Sequence, residues 1–240
     1  MNEPTRIIAI RHGETAWNVS TRIQGQLDIC LNERGRWQAA QLAQALADEP
    51  ISANYASDLT RAWETAHAVS GTQRVVVTPE FGLRERGFGA FEGRTFAEIE
   101  AELPDQARRW RNRDPAFAPA GGETLVALRE RVLEAAARLA ARHPGELIAL
   151  VGHGGVMDVL YRAATRQAID APRTWALGNA AINRLLWTPQ GFSLVGWADV
   201  HHLDESNLDE NRFAAAVHEI VTPAANDAAL RQVSGTGPVA

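Results

Sequence analysis

The chain has 240 residues, of which 45% are hydrophobic and 22% are charged, the composition of a globular domain with a full core. Its formal net charge of −5 argues against a general nucleic-acid-binding surface, which needs a strongly basic face. A lone cysteine, Cys30, excludes an intrachain disulfide, and no signal peptide and no apolar run of bilayer length is visible. We therefore expect a cytoplasmic protein without a membrane partner.

Apolar runs alternate with amphipathic stretches along the chain. The first half is predicted to contain a strand at 6–10, a helix at 33–48, a strand at 53–57, a helix ending near 70, and a strand at 75–77. The second half is predicted to contain irregular chain at 83–95, weak helix at 96–112, a loop at 115–122, a helix at about 123–142, a strand at 147–152 with a helix after it, and a hairpin of 181–188 with 192–198.

This alternation predicts an α/β fold, with a mostly parallel central sheet and helices on both faces. We expect one domain over residues 1–221, with a small cap inserted at about 86–124. Residues 222–240 are rich in alanine, proline, glycine and serine without periodicity, which predicts a flexible C-terminal tail.

Two predicted strands end in similar polar motifs. The first runs into Arg11 and His12, and the strand at 147–152 runs into His153, each histidine being followed by glycine. Carboxyl ends of parallel strands meet at one edge of a sheet, where such folds keep their ligand sites. Arg61 and Glu85 follow two other extended segments. Imidazoles and arginines gathered at one edge suit a phosphate group.

These motifs, in this order from residue 6 to about 203, resemble the histidine phosphatase superfamily, also called the phosphoglycerate mutase-like family. The matching segments are Arg-His-Gly-Glu-Thr at 11–15, Asn18, Arg-Ile-Gln-Gly at 22–25, Leu-Asn-Glu-Arg-Gly at 31–35, Ser-Asp-Leu-Thr-Arg-Ala at 57–62, Glu-Thr-Ala at 64–66, Leu-Arg-Glu at 83–85, Gly89, Phe-Glu-Gly at 91–93, Gly-Gly-Glu-Thr at 121–124, Val-Gly-His-Gly-Gly at 151–155, and Asn-Ala-Ala-Ile at 179–182. Such an ordered set is far more specific than one Arg-His-Gly motif.

The resemblance implies that His12 attacks phosphorus and forms a phosphohistidine. Arg11 and Arg61 favour its neutral, nucleophilic form by like-charge repulsion. With a cationic His153 they clamp the phosphoryl oxygens, a role that replaces a metal ion. Glu85 is implied to protonate the leaving alkoxide and then to act as base toward water. No metal ligands and no cofactor are expected.

Further substrate-binding groups follow from the same resemblance. Asn18 and the backbone amide of Gly154 are expected to donate to the phosphoryl group. Gln24 and Gly25 are expected in a substrate-facing loop, with plain turn chemistry as the alternative. The arginine-rich segment 108–114 is either a reader of a second anionic group or a solvated helix face.

The short interval between Glu85 and His153, together with Gly-Gly-Glu-Thr at 121–124, resembles the phosphatase branch of the family. We therefore expect a phosphomonoesterase acting on small phosphorylated metabolites. The alternatives are a phosphoglycerate mutase, which would need 2,3-bisphosphoglycerate as cofactor, and a catalytically silent phosphate-binding module. A homodimer formed through the hairpin at 185–187 is also open, with an internal position for that hairpin as the alternative.

Overall fold

Six strands form one sheet in the computed structural model, which describes residues 3–204. They are β1 (Thr5–Arg11), β2 (Ile51–Ala56), β3 (Val77–Pro79), β4 (Leu147–Gly152), β5 (Ile182–Thr188) and β6 (Gly191–Asp199). Their order in the sheet is β3-β2-β4-β1-β5-β6. The first four are parallel, whereas β5 runs antiparallel to both β1 and β6. The predicted mostly parallel sheet is confirmed, while the predicted boundary at 221 and the tail at 222–240 lie outside the described residues.

Helices cover both faces of this sheet. They are α1 (Ala16–Val19), α2 (Glu33–Ala45), α3 (Thr60–Gln73), α4 (Phe96–Glu102), α5 (Pro104–Arg111), α6 (Leu125–Ala140) and α7 (Gly154–Thr165). Alternate residues of β4 serve the two cores: Ile148 packs with α6 and α7, and Ala149 packs with α2 and α3. A parallel strand buried on both faces reads as a continuous apolar run, which is why β4 is recognisable from sequence.

Two elements differ from their predicted form. The segment predicted as one helix at 96–112 is two, because Pro104 cannot donate a backbone hydrogen bond and instead begins α5. The strand predicted at 75–77 begins only at Val77, which pairs with Asn54, while Val76 is 82% exposed. Of the two alternatives for the hairpin at 185–187, the structure shows the internal one, since β5 lies between β1 and β6. The homodimer stays a prediction.

Residues 86–124 contain α4, α5 and a small apolar cluster of their own, formed by Phe91, Ile99, Ala107 and Phe117. Arg86 ties the two ends of this segment together, because its guanidinium donates to the carbonyls of Phe117 and Glu123, each at 2.8 Å. Because residues 86–124 form a closed loop with a core of their own, we propose that they are the cap that the sequence predicts. Among the described residues, no helix is long and apolar enough to cross a membrane.

Candidate active site

The pairing of β1 with β4 brings the two predicted histidines together. Arg11 is in register with Gly152, so His12 and His153 follow at the same edge of the sheet. The backbone N–H of His12 donates to the carbonyl of Gly152 at 3.0 Å, and the ring centroids lie 5.2 Å apart. Both side chains are buried, with exposed fractions of 2% and 0%.

The tautomer of His12 is fixed by its neighbour. Its Nδ1 lies 2.7 Å from the carbonyl oxygen of Gly13, which can only accept, so Nδ1 carries the proton and Nε2 keeps its lone pair. Burial lowers the pKa of His12 well below its usual value, and the charges of Arg11 and Arg61 lower this pKa further. The imidazole is therefore neutral near pH 7, the state that a nucleophile needs.

His153 is held by the residue that follows β2. Its Nε2 lies 2.8 Å from the hydroxyl oxygen of Ser57, which also accepts from the backbone N–H of Leu59. The Ser57 hydroxyl can donate to Nε2 or accept from Nε2–H, so it is compatible with either tautomer of the imidazole. Burial, followed by the charge of Arg61, lowers the pKa of His153 well below its usual value. The cationic His153 expected from sequence thus requires a nearby negative charge to raise its pKa.

Both predicted arginines are anchored by backbone carbonyls. Arg61, fully buried in the first turn of α3, donates from Nη1 to Leu27 at 2.8 Å and from Nη2 to Gly25 at 2.7 Å. Arg11 donates from Nη1 to the carbonyl of Leu177. Burial lowers the pKa of Arg61 to about 10, so the guanidinium remains charged at neutral pH. These carbonyls fix the direction of each guanidinium while leaving other donors unused.

Three nitrogen atoms of this cluster are buried without a hydrogen-bond partner among residues 3–204. They are Nε of Arg11, Nε of Arg61 and Nδ1 of His153. An unsatisfied buried polar group costs about 1–3 kcal/mol, so three of them in one cluster are rare without a ligand that uses them. An anion with several oxygens, such as a phosphoryl group, has enough acceptor atoms for all three.

Glu85 lies against the N-terminus of α7. The backbone N–H of Gly155 is 3.1 Å and 3.2 Å from its two carboxylate oxygens, and the N–H of Arg86 donates to Oε1 at 2.8 Å. Arg131 on α6 donates to the carbonyls of Arg84 and Glu85, at 3.0 and 3.3 Å, and so holds this segment in place. Backbone contacts rather than side-chain partners position the carboxylate.

Gly155 permits this position because it has no side chain. A Cβ built there lies 2.3 Å from Oε1 of Glu85, closer than real contacts allow. We expect Gly155→Ala to displace the carboxylate and lower kcat/KM about tenfold or more, since small misplacements of a catalytic group are costly. Steady-state kinetics would measure this, with Gly71→Ala as control, because a Cβ at that helical position meets nothing within 4 Å. An unimpaired Gly155→Ala enzyme would show that the Glu85 position is unimportant.

The predicted substrate-binding residues fall into two groups. Asn18 forms the capping box of α1 with Thr15 through its Oδ1, which leaves its Nδ2 as a donor. Nδ2 of Asn179 donates to this Oδ1 at 3.4 Å and to the carbonyl of His12 at 2.9 Å, so Asn18 lies near the His12 segment. A Cβ built on Gly154 lies 3.7 Å from both Arg11 Nε and Glu85 Oε2, so this glycine adjoins the cluster. Gln24 is buried and Gly25 receives the Arg61 bond. Neither lines the cavity of about 510 Å³ beside Arg11, but His12, Arg61 and His153 do not line it either, so the substrate-facing role of this loop stays a prediction.

A cavity of about 510 Å³ opens beside Arg11, Glu85 and Gly154. Its other lining residues are Arg86, Phe88, Trp110, Arg113, Leu125, Leu128, Gly155, Asp158, Arg173 and Leu177. The cavity thus lies between the cluster of histidines and arginines, the proposed cap and the chain that follows α7.

Only part of the arginine-rich segment 108–114 reaches this cavity, namely Trp110 and Arg113. The other three arginines form exposed ion pairs on the cap: Arg108 with Asp105, Arg109 with Asp114, and Arg111 with Glu100. The solvated-face alternative therefore describes most of the segment.

Sequence reasoning missed Asp158 and Arg173 in the cavity wall. Asp158 lies one helical turn after Gly154 on α7, so helical spacing could have found it. Arg173 belongs to a loop whose path no periodicity reveals.

Residues 3–204 contain no group of three or more His, Cys, Asp or Glu side chains that could hold a metal ion. His201 and His202 make separate contacts, the first with Asp199 at 2.8 Å and the second with the carbonyl of Ala180 at 3.0 Å. Their neighbours beyond Asp204 lie outside the described part of the chain.

The family model described as "Histidine phosphatase superfamily (branch 1)" matches residues 7–200. The chain belongs to this superfamily. It is 36% identical to phosphoglycerate mutase-like protein 4 of Arabidopsis thaliana over 211 residues, which covers 86% of this chain and 90% of that protein. It is also 36% identical to a metal-independent phosphoserine phosphatase of the same organism over 218 residues, covering 88% and 89%.

Among solved structures, a mycobacterial glucosyl-3-phosphoglycerate phosphatase in complex with VO3 superposes with a TM-score of 0.74 at 33% identity. The match covers 81% of this chain and 99% of that one. The family match and the similarity in fold point to the same superfamily. The buried cluster of His12, His153, Arg11 and Arg61 lies within the matched residues.

Proposed function

We propose that this protein is a metal-independent phosphomonoesterase that acts through a phosphohistidine on small phosphorylated metabolites. The observation that carries the proposal is the set of three buried, unpartnered nitrogens of Arg11, Arg61 and His153 around a neutral His12. They supply donors for the phosphoryl oxygens, and His12 supplies the lone pair for attack on phosphorus.

In the first step, Nε2 of His12 forms a bond to phosphorus as the bond from phosphorus to the ester oxygen breaks. Glu85, in its protonated form, gives its proton to that oxygen, and the alcohol leaves. In the second step, the ionised Glu85 takes a proton from water, whose oxygen bonds to phosphorus as the N–P bond breaks. Phosphate leaves, and both His12 and Glu85 return to their starting states.

His153 changes its role as the phosphoryl group arrives. The negative charge of that group favours a protonated imidazole and counteracts the burial that lowers the pKa of His153. Ser57 then accepts from Nε2–H, while Nδ1–H donates to the phosphoryl oxygen. Arg11, Arg61 and protonated His153 thus supply the positive charges of this mechanism, and none of its steps needs a metal ion.

Curated relatives with names of both reactions match this chain. Those named phosphatases match at 31–36% identity, and one of them is named metal-independent. Two relatives named probable phosphoglycerate mutases match at 31% and 30% identity. One curated relative is named only as mutase-like. A phosphatase with no cofactor requirement is the function that these similarities support.

Phosphorus NMR tests this function directly. In the presence of EDTA, we expect the wild-type protein to release inorganic phosphate from at least one of a panel of phosphorylated sugars, hydroxy acids and amino acids. Activity that disappears with EDTA and returns with added metal would contradict the metal-independent mechanism. Conversion of 3-phosphoglycerate to 2-phosphoglycerate, only with 2,3-bisphosphoglycerate present and with little free phosphate, would establish the mutase instead.

A further inference from the structure

Four arginines line the cavity beside the catalytic cluster, and three of them are already engaged. Arg11 faces the phosphoryl site and Arg86 ties the cap ends together. Arg113 donates to Asp158 at 2.6 Å and to the carbonyl of Ile169 at 3.0 Å. Asp158, 5% exposed, pairs with both Arg113 and Arg162, so one carboxylate holds two guanidinium groups.

Arg173 is the arginine of this cavity whose guanidinium donors are all unused within residues 3–204. The structure gives it no ion pair and no hydrogen-bond partner among residues 3–204, and its side chain is exposed at the cavity wall. Burial lowers the pKa of Arg11, and the charge of Arg173 lowers it further, as expected for two guanidinium groups that face one cavity. An unpaired cation that faces a second cation is stabilised by an anion between them.

The loop that carries Arg173 is held at several points. Arg162 donates to the carbonyl of Ala171 at 2.8 Å and also to that of Ala168. The ring of Trp175 stacks on Tyr161 with centroids 4.1 Å apart and lies under the guanidinium of Arg162. These contacts fix the backbone on both sides of Arg173, which reduces the entropy lost when a ligand binds.

The far end of the same loop reaches the catalytic cluster. Nη1 of Arg11 donates to the carbonyl of Leu177, and Trp197 donates to the carbonyl of Ala176 at 2.9 Å. Arg11 and Arg173 are therefore attached to one short, anchored segment. A ligand whose phosphoryl group is held at Arg11 has its remaining atoms in the cavity that Arg173 lines.

We propose that Arg173 binds a carboxylate of the substrate, so that the preferred substrates are phosphate monoesters of hydroxy acids or amino acids. The inference rests on the proposed function, because it takes the phosphoryl group to lie at Arg11 and His12. The unused donors of one planar guanidinium fit one carboxylate with two parallel hydrogen bonds.

Two ligands that differ only in a carboxylate test this role. They are 2-amino-4-phosphonobutyrate and 3-aminopropylphosphonate, and since a C–P bond resists hydrolysis, their binding is measured without turnover. By calorimetry we expect the wild-type protein to bind the first about 10–100-fold more tightly, as a charge-assisted contact would give. In Arg173→Met this preference should disappear, as should the kcat/KM preference for phosphoserine over phosphoethanolamine.

Arg108→Met is the matched control, because Arg108 is an exposed arginine of the cap that pairs with Asp105. It should retain the wild-type preference in both assays. The inference is overturned if Arg173→Met weakens both phosphonates by the same factor, if it changes neither, or if the wild-type protein shows no preference. Wild-type protein that prefers the carboxylate ligand but hydrolyses no ester would contradict the proposed function and leave the role of Arg173 supported.

Discussion

The His12→Ala protein is expected to hydrolyse phosphate monoesters at least about 10³-fold more slowly than the wild-type protein, since it lacks the atom that bonds to phosphorus. The remaining donors on Arg11, Arg61 and His153 can still bind a phosphoryl group, so binding should persist while kcat falls. Initial rates with p-nitrophenyl phosphate measure the loss. Rapid quenching after mixing with ³²P-labelled substrate measures the intermediate, an acid-labile and base-stable phosphoprotein.

A second histidine provides the control for this experiment. His67 lies exposed on α3, where its Nδ1 is 3.0 Å from the carbonyl of Trp63, and the proposed mechanism gives it no role. His67→Ala should keep wild-type rates and wild-type labelling. Label that persists in His12→Ala would place the covalent intermediate on another residue, and the proposed mechanism would then be wrong.

The framework of the site could be predicted because buried parallel strands carry a clear signal. The apolar runs at 6–10 and 147–152 became β1 and β4, and their pairing placed His12 beside His153. That inference needed only the rule that parallel strands end at one edge. The carbonyl that accepts from His12 Nδ1 belongs to Gly13, the next residue, so this contact is local in sequence.

The remainder of the site depends on contacts between segments distant in sequence. No local pattern shows that Arg61 donates to Gly25, 36 residues away, or that Arg11 reaches Leu177. The neutral state of His153 follows from complete burial beside two arginines, which sequence spacing does not quantify. The unused donors of Arg173 stand out only once the partners of Arg86 and Arg113 are known.

The second large effect is expected for Glu85→Gln, and it should depend on the leaving group. Glutamine preserves the shape of the side chain but has no carboxylic proton to give. Loss of a general acid lowers rates about 10²–10⁴-fold when the leaving group must be protonated, as with an alkoxide. p-Nitrophenolate leaves as an anion, so its departure in the first step needs no proton from Glu85.

Pre-steady-state kinetics separates the two steps that Glu85 is proposed to serve. With p-nitrophenyl phosphate, Glu85→Gln should release about one equivalent of nitrophenolate per site rapidly and then stall as a phosphohistidine, because no base activates water. With an alkyl phosphate such as phosphoserine, phosphorylation itself should be slow and no intermediate should accumulate. Both outcomes follow from a single carboxylate that acts as acid and then as base.

The control for the Glu85→Gln experiment is a carboxylate of the proposed cap. Glu100, half-exposed and paired with Arg111, can be changed to glutamine with the same chemistry but outside the site. Glu100→Gln should behave as wild type with both substrates. If Glu85→Gln instead slowed phosphorylation by the same factor for both esters, the carboxylate would be acting on the bound phosphoryl group through its charge rather than on the leaving oxygen through its proton. The hydrogen bonds from Gly155 and Arg86 would then serve to hold a permanent anion in place.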